Sequence, residues 1–139
     1  MRCSYQYIQE VPLSNKYDKI LSVAVLEHLE DLPQVIAQAC FLLKENSVFQ
    51  AAVPNEGGLL WYLGMCLTGL GFRLRNKMSY FPLMRYEHLN KSKEIINIIK
   101  HFFKDVRVKR FPLPIHHLSM YVYIEAYHPR LDVCQRYLK

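Results

Sequence analysis

Two Glu-His pairs, Glu27-His28 and Glu87-His88, and one His-His pair, His116-His117, supply the side chains best suited to proton transfer. An imidazole titrates near neutrality and serves as a general base, and a neighbouring carboxylate can orient it. Glu27-His28 has the stronger case because it closes an apolar run, residues 20–26, broken only by Ser22. Such an unalternating run predicts a strand over residues 19–25 that is covered on both faces, as in the interior of a parallel sheet. Ligands of open α/β sheets bind beyond the carboxyl ends of the strands, which makes His28 and Glu27 the candidate catalytic residues. The competing explanation is that both hydrogen-bond the loop or cap the next helix. Glu87-His88 reads first as a helix-opening pair that orients the loop before it. His116-His117 lacks the His, Cys and Asp spacing of a zinc site, and no metal site is expected in the chain.

Other chemistries find little support. The five glycines, Gly57, Gly58, Gly64, Gly69 and Gly71, fall in one short window, so nothing before Gly57 forms a glycine-rich phosphate loop. A serine hydrolase is disfavoured by the lack of G-x-S-x-G. Trp61, Tyr62, Met65, Phe72, Tyr80 and Phe81 form an apolar and aromatic run that either lines a small-molecule pocket or packs inside a lid.

These residues need elements to position them. The pattern predicts strands over 2–8, 19–25, 47–53, 106–111 and 118–127, and helices over 30–43 and 93–103, the second capped by Asn90 or Ser92. Strand, helix, strand across residues 19–53 makes a βαβ unit with two parallel neighbouring strands the default, and the class α/β. The uncharged stretch 57–72 is shorter than the roughly twenty residues of a membrane-spanning helix. It is expected to be a helical lid or acceptor-pocket wall within an insertion at 55–90. An interfacial helix beside Arg73, Arg75 and Lys77 is the alternative.

A chain of 139 residues is one domain's worth and can bury a sizeable core. Its net charge of +6 is concentrated: residues 71–110 carry eleven Lys/Arg against three Asp/Glu. Such a block attracts phosphate, nucleic acid or anionic lipid, or is simply a solvated face. Nucleic acid is disfavoured as a partner, since no reading helix or aromatic platform motif accompanies it. Cys3, Cys40, Cys66 and Cys134 are scattered without a C-x-x-C pair, and no signal segment opens the sequence, which points to free thiols in a reducing cytoplasm.

The stretch KYDKILSVAVLEHLEDLPQVIAQACFLLKENSVFQAAVPNEG resembles the fourth and fifth strands of class I S-adenosylmethionine-dependent methyltransferases. The matching features are Tyr17-Asp18, the apolar strand, Leu26-Glu27-His28, an amphipathic helix ending in Leu43-Lys44, and Val53-Pro54-Asn55. Arg85-Tyr86-Glu87-His88-Leu89-Asn90 is similar to the Glu-His-x-Asn entry to the next helix in a subset of that family.

The resemblance implies a partial Rossmann-like methyltransferase sheet built from the family's strands three to seven, mostly parallel with an antiparallel last strand, and helices packed on it. The family's full strand order is three-two-one-four-five-seven-six. It also implies a function, transfer of a methyl group from S-adenosylmethionine to a small or lipid- or sugar-linked acceptor. In that reading His28 and Glu27 are catalytic, Ser22, Val23 and Ala24 touch the cofactor, and Asn55, Trp61, Tyr62, Tyr80 and His88 touch the acceptor. The family's Gly-rich cofactor loop and its ribose-binding acid have no counterpart here, and its adenine-side Asp aligns with Tyr7. The resemblance thus implies the carboxyl-terminal portion of the fold, with one edge of the strand at 19–25 left bare. A bare apolar edge favours pairing with a second copy or a partner. The contrasting expectation is a non-catalytic interaction module, and a third is a peripheral membrane or nucleic-acid binder using residues 73–110.

Overall fold

The structure is a computed structural model and describes residues 4–77, 82 and 88–138. Four strands make one sheet: β1 (Tyr17–Val23), β2 (Leu43–Pro54), β3 (Phe103–Pro112) and β4 (Ser119–Pro129). The helices described in full are α1 (Leu32–Leu42), α2 (Leu59–Asn76), α3 (Ser92–Phe102) and the single turn α4 (Leu131–Cys134).

The sheet order is β1-β2-β4-β3. Only β1 and β2 pair in parallel, while β4 runs antiparallel to both β2 and β3. This corrects the expected mostly parallel sheet of five strands. The last strand lies inside the sheet, so its reversal makes two of the three pairings antiparallel. Of the first expected strand, residues 2–8, the described residues 4–8 form no strand. In its place the described residues hold a 3-10 turn, Ile8–Glu10. Without it, β1 is an edge strand.

Burial follows from that arrangement. Phe49, Ala51 and Val53 of β2 lie opposite Ala126, Ile124 and Val122 of β4, and this face is sealed by α1 and α3. Along β2 the buried residues alternate with half-buried ones, and on the second face Gln50 Nε2 donates to Glu125 Oε1 at 3.2 Å. Strands covered on one face alternate in this way. The expectation of a strand buried on both faces fails for β1, where Leu21 and Val23 are 60% and 55% exposed.

Each helix forms for local reasons. Asp31 caps α1 by accepting from the Gln34 N–H at 3.2 Å, and Pro33 sits in the first turn, where its missing N–H costs nothing. In α3 the buried Ile95, Ile99 and Phe102 recur on one face, and the Glu94 carboxylate accepts from the Lys91 N–H at 2.9 Å. The expected caps do other work, since Ser92 lies inside the helix and Asn90 binds a distant turn. In α2, by contrast, Met65 is the buried residue, and Leu59, Tyr62, Leu63, Leu67, Leu70 and Leu74 are exposed. Among the described residues no helix is long and apolar enough to cross a membrane.

Candidate functional site

β1 stops at Ala24, whose φ of 50° is left-handed. That conformation costs an alanine roughly 1–2 kcal/mol and redirects the chain away from the strand line. The Ala24 N–H still donates to the Ala52 carbonyl at 2.9 Å, so the turn begins directly at the end of the parallel ladder. A 3-10 turn, Leu26–His28, follows. Buried Leu26 anchors it in the core, and Glu27 is itself only 2% exposed.

A segment far along the chain fixes this turn. The Glu27 carbonyl accepts from the N–H groups of Leu89 at 2.8 Å and Asn90 at 3.0 Å. The Asn90 side chain donates to the carbonyls of Leu26 at 3.0 Å and Leu29 at 2.6 Å. One asparagine therefore satisfies two carbonyls that the short turn leaves unpaired, and it draws His88 to the end of β1.

His88 is oriented from a third direction. Its Nδ1 contacts Oε1 of Glu56, just beyond the end of β2, and both side chains are largely shielded from solvent. A carboxylate only accepts, which makes Nδ1 the donor and leaves the lone pair on Nε2. The His28 and His88 ring centroids are 4.8 Å apart with planes at 76°, and His28 Nε2 lies 4.0 Å from Glu27 Oε1. Donor atoms of Glu27, His28 and His88 all fall within 4.8 Å of one another. Glu27 Oε2 is buried with no hydrogen-bond partner among the described residues.

Two cavities meet at this cluster. A pocket of about 360 Å³ is lined by Ala24, Glu27, His28, Pro54, Trp61, Met65, Thr68, His88 and Tyr121. A groove of about 670 Å³ runs along β1 and is lined by Tyr7, Ser22, Val23, Leu29, Phe49 and His28 among others. His28 belongs to both walls.

The sequence-predicted residues are thus only partly assembled. Glu27, His28, Ala24, Trp61 and His88 share the pocket, while Ser22 and Val23 line the neighbouring groove. Tyr62 is an exposed residue of α2 outside the pocket lining, and Tyr80 and Phe81 lie outside the described residues. Asn55 lines neither cavity. It is 1% exposed, and its side-chain amide donates to the His116 carbonyl at 2.8 Å and to Ser119 Oγ, so it ties β2 to the start of β4 rather than facing a ligand. The sequence predicts that Glu87-His88 opens a helix, but His88 precedes α3 and contacts Glu56. Glu87 lies outside the described residues.

Sequence reasoning missed Glu56, Thr68 and Tyr121. Glu56 had a signal, as a carboxylate just past the carboxyl end of a strand beside the one carrying His28. Glu27, His28 and His88, which no local spacing relates, converge only through the fold.

No protein-family profile matches the chain, and a search of curated proteins finds no match.

Proposed function

We propose that this chain is the acceptor-side, carboxyl-terminal portion of an S-adenosylmethionine-dependent methyltransferase. The observation that carries the reading is the position of His28, at the carboxyl end of β1 and in the shared wall of two cavities. The groove beside Ser22 and Val23 takes the cofactor, and the pocket beside Trp61 and His88 takes a small or lipid- or sugar-linked acceptor. Methyl transfer is an in-line displacement, so the protein's task is to hold donor sulfur, methyl group and acceptor atom in line, and a base removes the acceptor's proton. His28 stands where that line crosses from one cavity to the other.

The open edge of β1 is where strands carrying a Gly-rich loop, or a second copy, would pair. The free thiols of Cys40, Cys66 and Cys134 suit a reducing cytoplasm. Calorimetric titration with S-adenosylhomocysteine tests the reading. Saturable heat that Ser22→Trp removes is expected, and no heat up to millimolar ligand defeats it.

A second reading follows from α2, whose exposed leucines run into Arg73, Arg75 and Lys77. Apolar residues followed by a basic helix end favour the surface of an anionic membrane, from which a lipid-linked acceptor would be drawn. Flotation with anionic vesicles tests it. Binding should fall on charge reversal at Arg73, Arg75 and Lys77, and undiminished binding contradicts it.

A further inference from the structure

We infer that Glu27, His28 and His88 form a binding site for one divalent transition-metal ion, of the zinc or cobalt type. Two imidazoles and a carboxylate are the donor set that such borderline ions prefer over magnesium or calcium, which favour oxygen alone. Four observations converge on it.

The three donor atoms lie within 4.8 Å of one another. Ligand atoms around an ion with bonds of about 2.1 Å sit about 3.4 Å apart in a tetrahedral shell, so closure needs movements of about an ångström. The His28 side chain is 41% exposed, whereas those of Glu27 and His88 are 2% and 8% exposed.

The second observation concerns Glu27. Its carboxylate is 98% shielded, and Oε2 has no hydrogen-bond partner among the described residues. Burying an ionised carboxylate there is costly unless a cation meets it. Thirdly, His88 is prepared as a ligand, because Glu56 accepts a hydrogen bond from its Nδ1–H and leaves the Nε2 lone pair for an ion. Carboxylates habitually orient metal-bound histidines in this way. Fourthly, the cluster opens into the 360 Å³ pocket, so that a water or a substrate oxygen can complete the shell.

The site deepens the methyl-transfer reading and, for its catalytic meaning only, rests on it. An ion held by His28 takes over the activation of the acceptor, since a coordinated hydroxyl gives up its proton to solvent far more readily than a free one. That favours an acceptor oxygen over carbon or nitrogen.

Metal binding is measured without cofactor, so its failure and that of the methyltransferase reading remain separate. The purified chain is dialysed against zinc buffered by a chelator, and cobalt provides the optical spectrum. One ion per chain is expected. His28→Gln and His88→Gln should each weaken binding at least about tenfold, and Glu56→Gln about 10- to 100-fold. His116→Gln with His117→Gln should leave it unchanged. Circular dichroism verifies that each variant is folded. Should a variant fail to fold, the unaltered chain still decides, through zinc-dependent shifts of the His28 and His88 ring signals and a cobalt spectrum without a thiolate charge-transfer band. The inference is overturned if the chain binds no zinc, if the folded His28→Gln/His88→Gln double variant binds as tightly, or if a thiolate band places the ion on the cysteines.

Discussion

The imidazole rings of His28 and His88 meet edge to face, with centroids 4.8 Å apart, although one ends β1 and the other precedes α3. The two lie sixty residues apart in sequence. The contact is made by Asn90, which spans Leu26 and Leu29, and by Glu56, which holds His88 from the end of β2. The site is thus a product of three chain segments converging where β1 and β2 end.

Asn90→Ala should therefore loosen the site and the fold together. It strands the Leu26 and Leu29 carbonyls, at a cost of about 1–3 kcal/mol for each that stays buried and unpaired. Urea denaturation measures the loss, and proton cross-peaks between the His28 and His88 rings should disappear. Retention of those cross-peaks would show that the rings are held by something other than Asn90.

Asn55→Ala should destabilise the chain by about 2–4 kcal/mol, because it removes the amide that satisfies the His116 carbonyl and Ser119 in the interior. The same variant should bind S-adenosylhomocysteine unchanged under conditions where it remains folded. A loss of binding without a loss of stability would return Asn55 to the ligand site.

Backbone conformation at two small residues gives opposite signs. Ala24→Gly should be neutral or stabilise by up to about 1 kcal/mol, since glycine adopts φ of 50° freely. Gly58→Ala should destabilise, because a Cβ there would stand 2.8 Å from the His116 carbonyl oxygen and 3.4 Å from that of Ser119. Thermal unfolding of the two variants against the unaltered chain settles both signs.

Thiol alkylation should distinguish the described cysteines. Cys40 is buried, and its thiol is pushed well above the ordinary range by its hydrogen bond with Cys134 and by burial, while the same bond draws Cys134 downward. Both are sealed in the core beside α1, so iodoacetamide should modify Cys66, partly exposed on α2, long before either. Peptide mapping after brief exposure at mildly alkaline pH reads the order, and early modification of Cys134 would contradict this packing.

Much of this was legible in the residues themselves. The period of Ile95, Ile99 and Phe102 predicts α3, and the run closing on Pro54 predicts β2 as a parallel neighbour of β1. The apolar run of β1 misled, because hydrophobicity cannot distinguish a strand buried by its own chain from one whose edge is bare. Leu21 and Val23 have the composition of interior residues but stand exposed. Glu27-His28 was conspicuous as a pair at a strand end. The pairing of His88 with Glu56, and of both with His28, depends on Asn90 reaching across the fold, which no local pattern encodes. The contacts of Asn55 were hidden for the same reason, since its partners His116 and Ser119 lie on the far side of α2 and α3 in sequence.

The central claim is that the groove along β1 and the pocket under α2 are the donor and acceptor sides of one methyl-transfer site divided by His28. Nuclear magnetic resonance titration of the labelled chain with S-adenosylhomocysteine tests it directly and tolerates weak binding. The account predicts saturable shifts at the Ser22, Val23 and Ala24 amides and at the His28 ring. No shifts at millimolar ligand, or shifts confined to the basic residues of β3, would contradict it.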